Sequence, residues 1–156
     1  MDNDSSSGIS FGLASGVITT IGVIIGLGIG TQSQTVIIAA VLTIAFVDAF
    51  SDAFGMHLAK EAEDISAKHV WKTTIITFIS KLIFALTFLV PVVLFDLNNA
   101  IIASVIWTLV LLSFASYFIA KKEKKNPRKI IAGHLLIAII VIVITNFIGI
   151  FISVFI

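Results

Sequence analysis

Five long, almost uninterrupted apolar runs dominate the chain, at about residues 9–30, 35–58, 70–95, 99–120 and 130–156. An α-helix needs about 20 apolar residues to cross the hydrocarbon of a bilayer, and each run meets that length. Strands of a transmembrane barrel would be about 10 residues long and alternate in polarity, which these runs do not. Of the 156 residues, 58% are hydrophobic and 12% charged, too little polar surface for a water-soluble domain. The sequence therefore predicts an all-α integral membrane protein with five transmembrane helices in one domain, 9–156, behind a polar tail, 1–8. "MDNDSSSG" lacks a basic n-region, so the first run reads as a retained helix and not as a cleaved signal. Pro91 falls late in the third run and should kink or end its helix.

The charges set an orientation. Lys60, Lys68 and Lys72 flank the second connection, and Lys121, Lys122, Lys124, Lys125, Arg128 and Lys129 fill the fourth. Lys81, inside the third run, is the remaining basic residue. The positive-inside rule puts the N-terminus and both basic connections in the cytosol and the C-terminus outside. There are no cysteines, which removes disulfides, thiolate metal sites and thiol nucleophiles together.

The first run repeats small residues: Gly8, Gly12 and Gly16, then Gly22, Gly26 and Gly30. Such stripes let helix backbones approach closely in lipid, where packing drives association, so this helix should be central. Whether its partner is another helix of the chain or the same helix of a second copy is open. Ser15 and Thr19 share a face of it and could line a pore or bond back to their own helix.

The stretch "FVDAFSDAFGMHLAKEAED" carries the strongest signal. Asp48, Asp52 and Met56 are spaced i, i+4, i+8, along one face with about 6 Å of rise between neighbours. A carboxylate at the bilayer centre costs about 2.5–3.5 kcal/mol on insertion scales, so two unneutralised ones would cost about 5–7 kcal/mol. Protons or a divalent cation would offset this, and the Met56 thioether would favour a transition metal over Mg2+ or Ca2+. A salt bridge to Lys81, at similar depth, is the structural alternative, and it is expected to account for one aspartate and not the other. Lys81 could also serve both ends, holding a carboxylate charged when no metal is present. His57, Glu61, Glu63 and Asp64 follow and could collect cations at a cytosolic entrance, or form an ordinary solvated face. His69 and His134 read as interfacial residues and not as ligands. No enzyme signature is complete: Asp48-x-x-x-Asp52 lacks the upstream aspartate pair of membrane phosphatidyltransferases, and no Ser, His and acid set converges at one depth.

"FGLASGVITTIGVIIGLGIG" and "VDAFSDAFGMHLAKEAE", with Pro91 in "FLVPVV" and the final "NPRKIIAGHLLIAIIVIVITNFIG", together resemble the vacuolar iron transporter family. That resemblance implies a five-helix homodimer with two-fold symmetry through helix 1 and proton-coupled export of Fe2+, sometimes Mn2+, from the cytosol. Two positions depart from the family pattern. Ala14-Ser15-Gly16 stands where the family usually has Asn-Asp-Gly, and Ser51-Asp52-Ala53-Phe54-Gly55-Met56 where it commonly has Ser-Met-x-x-Gly-Glu. The long cytosolic metal-binding helices are replaced by Ala59 to His69 alone. The expectation is a metal/proton antiporter with Asp48, Asp52 and Met56 at the metal, His57, Glu61 and Glu63 at the entrance, and Ser15, Thr19 and Lys81 modulating the path. Its partners would be the bilayer, a second copy, the transported ion and protons, with no resident cofactor, no nucleic acid and a prokaryotic cell membrane rather than a vacuolar one as its location. The alternative is a non-transporting scaffold of the same fold in which Lys81 neutralises the buried acids.

Overall fold

The computed structural model describes residues 3–63 and 65–155. It is all-helical: α1 Asn3–Thr31, α2 Gln34–Glu61, α3 Ala67–Leu86, α4 Leu89–Leu94, α5 Leu97–Lys122 and α6 Pro127–Phe155. Helices α3 and α4 together make one span, so five spans are long and apolar enough to cross a membrane, as the five runs require. The first helix begins earlier than expected. Residues 3–8 continue α1 and do not form a separate tail, because Gly8 is already packed against Thr73 and Ile76 of α3.

Local chemistry explains the turns. Gln32 takes a left-handed conformation at the end of α1 (φ 50°), and its amide donates to the Ile29 carbonyl (3.0 Å), satisfying a group that the ending helix leaves free. Ser33 then caps α2, its hydroxyl accepting from Val36 N–H. Between α5 and α6, Lys124 is left-handed (φ 54°), with Lys125 N–H donating to Ala120 and Lys124 N–H to Lys121. This is a Schellman closure. Asn126 then accepts from Arg128 N–H, with Pro127 at the first helical position, where a missing N–H costs nothing.

The break in the third span falls at Thr87 and Phe88, one turn before Pro91. A proline ring clashes with the carbonyl four residues earlier and cannot bond to it. Thr87 is that residue, and its carbonyl instead accepts from Val90 N–H (3.2 Å). Its hydroxyl donates to Phe84 and accepts from the Trp107 indole N–H (3.0 Å), so the break is braced by α5. Gln34 at the start of α2 donates to the carbonyls of Val92 and Phe95 and holds the end of α4.

Helix α1 is the axis of the bundle. Just over half of its most apolar window is buried (56%), against 11% for α6. Gly8, Gly12 and Gly16 face successive turns of α3, and Gly22 and Gly30 face Thr145 and Ile152 of α6, so α1, α3 and α6 run parallel. Both glycine stripes are thus used within the chain, which answers the question the spacing left open. Closest approach is at Gly12, where a Cβ would lie 2.8 Å from Lys81 N and Thr77 O. Gly149 meets Gly26 O in the same way on the α6 side, at 2.8 Å. Small residues bring in the other helices. Ala45, Ala49 and Ala53 continue the buried row of α2, and Ala100, Ser104, Thr108, Ser116 and Ala120 form most of that of α5.

Gly12→Ala should therefore lower the unfolding temperature in detergent, by the roughly 1–3 kcal/mol that overpacking a tight contact costs. Gly55 sits on the open side of α2 with nothing within 4 Å of a built Cβ. Gly55→Ala should raise stability by about 0.5–1 kcal/mol through helix propensity alone.

Candidate functional site: a lysine between two aspartates

The core of the site comes from three helices. Lys81 of α3 is 1% exposed, one of the largest fully buried side chains among the described residues. Gly12 and Gly16 make room for it: a Cβ at Gly16 would lie 3.0 Å from Lys81 O and 3.3 Å from its Cγ. Its ammonium donates to Ser15 Oγ of α1 (2.9 Å) and Asp52 Oδ2 of α2 (2.5 Å). It also forms an ion pair with Asp48 Oδ2 at 2.5 Å, although that oxygen has no hydrogen bond of good geometry. Ser15 Oγ donates in turn to Asp52 Oδ2. One ammonium therefore serves both acids. The expectation that a lysine bridge would explain only one aspartate fails, because residues one helical turn apart leave their carboxylates close enough to converge on a single Nζ.

With both acids ionised and Lys81 protonated, the cluster carries one net negative charge. The carboxylates are more open than the lysine, with 31% and 21% of the Asp48 and Asp52 side chains exposed. Asp48 borders a groove of about 430 Å³ between α1 and α2, with Thr19, Thr43 and Ser51 as its other polar residues. Thr19 donates its hydroxyl proton to Ser15 O (2.9 Å) and Thr43 donates to Ala39 O (2.8 Å). Each keeps lone pairs free, so the polar groups beside Asp48 include hydroxyls that accept and have no proton to give. Such a lining suits a cation or a water donor.

The other expected site residues separate from this cluster. Met56 is half-buried on the same face of α2, but it lines a different cavity, toward the start of α1. His57, one residue on, is turned about 100° around the helix. It meets α3, with Nδ1 3.0 Å from Thr74 Oγ1 and its ring edge against Trp71. Glu61 is exposed, and Glu63, beyond the end of α2, is tied to Lys60 (2.8 Å). Asp64 lies outside the described residues. His57 is thus engaged by α3 and Glu63 by Lys60, while Glu61, one turn on from His57, stays exposed.

Sequence reading missed one pair, Ser116 and His134, which touch across α5 and α6 (Oγ to Nδ1, 2.7 Å). The sequence feature that marks this contact is the small-residue row of α5. Among the described residues no group of three His, Cys, Asp or Glu side chains gathers as a metal site.

No protein-family model, curated protein or solved structure matches the chain. Fold and site together define a five-helix, multi-pass membrane protein with an acid–lysine–acid cluster buried among its first three spans.

Lys81→Met should leave two carboxylates facing an apolar interior and lower stability by about 3–5 kcal/mol, the cost of removing one partner of a buried ion pair. Most of the loss should be recovered when Asp48→Asn and Asp52→Asn are added, which thermal unfolding of the four variants would measure as a coupling energy.

Proposed function

We propose that the chain is a proton-coupled transporter of a divalent transition metal, Fe2+ or Mn2+, moving it out of the cytosol. The observation that carries this reading is the convergence of two aspartates, Asp48 and Asp52, on the single Lys81 ammonium beside a groove whose threonine hydroxyls donate to their own helices and keep lone pairs free. A structural ion pair would be balanced, one acid to one base. Here a second acid is kept at the membrane's most costly depth, partly open to a groove.

In this mechanism the ion is substrate and approaches the carboxylates from the groove side, with Ser15 and Lys81 behind them. A divalent ion on two carboxylates and one ammonium would leave an excess positive charge in a low dielectric. Loss of the Lys81 ammonium proton to water would bring two carboxylates and a divalent ion to zero net charge, and that proton couples the ion to a pH gradient. The groove lies on the surface of a single copy, and a second copy related by a two-fold axis along α1 and α2 would enclose it as a path. The basic end, which carries the N-terminus and the α2–α3 and α5–α6 connections, faces the cytosol. Resemblance of the first two helices to the vacuolar iron transporter family supports the same assignment.

A second reading is favoured by the burial of Lys81. A lysine 1% exposed and touching both acids could be a permanent counter-ion in a non-transporting scaffold.

Proteoliposomes holding a metal-sensitive dye, with an imposed pH gradient, test the first reading. Uptake of Fe2+ or Mn2+ should follow the gradient and fall at least about tenfold in Asp48→Asn/Asp52→Asn. Equal rates in both proteins would refute it. In detergent, a transporter should be stabilised by millimolar Mn2+ through mass action, and the scaffold should not.

A further inference from the structure

At the basic end a cavity of about 840 Å³ opens between the starts of α1 and α6 and the end of α5. Ser6, Ser7 and Ser10 of α1, Lys122 and Glu123 of α5 and His134 of α6 supply its polar groups. Phe11, Ala14, Met56 and Ile119 supply its apolar wall. The cavity is therefore amphipathic, with its charged groups at the end of α5.

Its electrostatics favour an anion. Lys121, Lys122, Lys124, Lys125, Arg128 and Lys129 surround the adjoining turn. Glu123 is the one acid on the wall, and it is committed to Lys125 at 2.6 Å. That hydrogen bond and the charge of Lys125 hold its carboxyl below the ordinary range, so it stays ionised and paired. His134 adds a directional contact. Ser116 donates its proton to Leu112 O (2.5 Å), so its oxygen accepts from His134 Nδ1–H. In the neutral ring this leaves Nε2 as an acceptor, suited to a hydroxyl donor.

We propose that this basin is a binding site for an anionic phospholipid with a hydroxylated headgroup, the phosphatidylglycerol class. Lys122 takes the phosphate, the α1 serines and His134 Nε2 take the headgroup hydroxyls, and an acyl chain lies over Phe11, Ala14 and Ile119. Basic pockets between spans at a charged membrane face recognise lipid headgroups in this way. A zwitterionic lipid offers Lys122 no net charge and His134 no hydroxyl.

The full chain in detergent would be titrated with phosphatidylglycerol, phosphatidylcholine or soluble glycerol 3-phosphate while its unfolding temperature is followed. Phosphatidylglycerol alone should stabilise it, saturably. Lys122→Gln, an exposed residue whose loss leaves the fold intact, should weaken half-saturation about fivefold, and His134→Phe by a similar factor. Lys124→Gln, the same charge change outside the basin, should shift it less than about twofold. Equal loss at Lys122 and Lys124 would show only a diffuse basic surface and overturn the proposal. So would stabilisation by phosphatidylcholine or by the soluble phosphate to the same degree, or dimer formation that fills the basin and abolishes the lipid effect.

Discussion

Everything in the first half of the bundle depends on one ammonium held out of water by three helices. Lys81 cannot sit at 1% exposure inside a membrane protein unless its charge is countered locally and most of its N–H donors find acceptors. Asp52 and Ser15 answer two, and Asp48 supplies a second counter-charge. These partners sit on α1 and α2, so satisfying Lys81 fixes the relative height of α1, α2 and α3. The glycines follow from the same demand. A Cβ at position 12 would strike the Lys81 backbone, and one at 16 would press on its carbonyl and stem. Close packing and charge neutralisation are thus one requirement seen from two helices.

Much of this was legible before any coordinates. Five spans follow from run length, and the break before Pro91 follows from a ring that cannot accept a helical carbonyl. The acid face of α2 follows from spacing alone, since i and i+4 must share a side. What spacing could not give is azimuth between helices. Lys81 could be matched to Asp48 in depth by counting residues from the ends, but whether it reached one acid or two depended on how α3 rotates against α2. The same limit misplaced Met56 and His57. Met56 keeps the face of Asp52 yet meets α1 and the basin, and His57 is carried around to Trp71 of α3. Glycine spacing marks the packing face plainly in α1, whereas in α5 polar serines and threonines supply the same stripe and hide it.

The bundle is lopsided. Helix α1 is enclosed by α3 and α6 along its glycine rows, while the side bearing Phe11 and Ala14 stays open, with Thr19 only partly covered. That open side carries the polar groove near Asp48 and the amphipathic basin at the basic end. A hydroxyl-lined strip in the hydrocarbon is a poor lipid surface, because lipid tails offer its oxygens no donors. The basin differs, because its charged groups lie beside the basic α5–α6 turn. One helix can therefore present a face unsuited to acyl chains at mid-depth and a face suited to a lipid near the interface.

Exposure within the cluster bears on how an arriving ion would meet it. The Asp48 oxygen nearest Lys81 is itself fully buried, so the 31% exposure of that side chain belongs to the rest of the carboxyl group and its stem. Asp52 likewise spends Oδ2 on both Lys81 and Ser15 and is 21% exposed. The lysine stands behind the acids relative to the groove. A cation entering from that side meets carboxylate before ammonium, and need not expel a side chain whose backbone Gly12 and Gly16 hold in place. Lys81, behind the acids, limits how much further positive charge the cluster can accept while its ammonium keeps its proton.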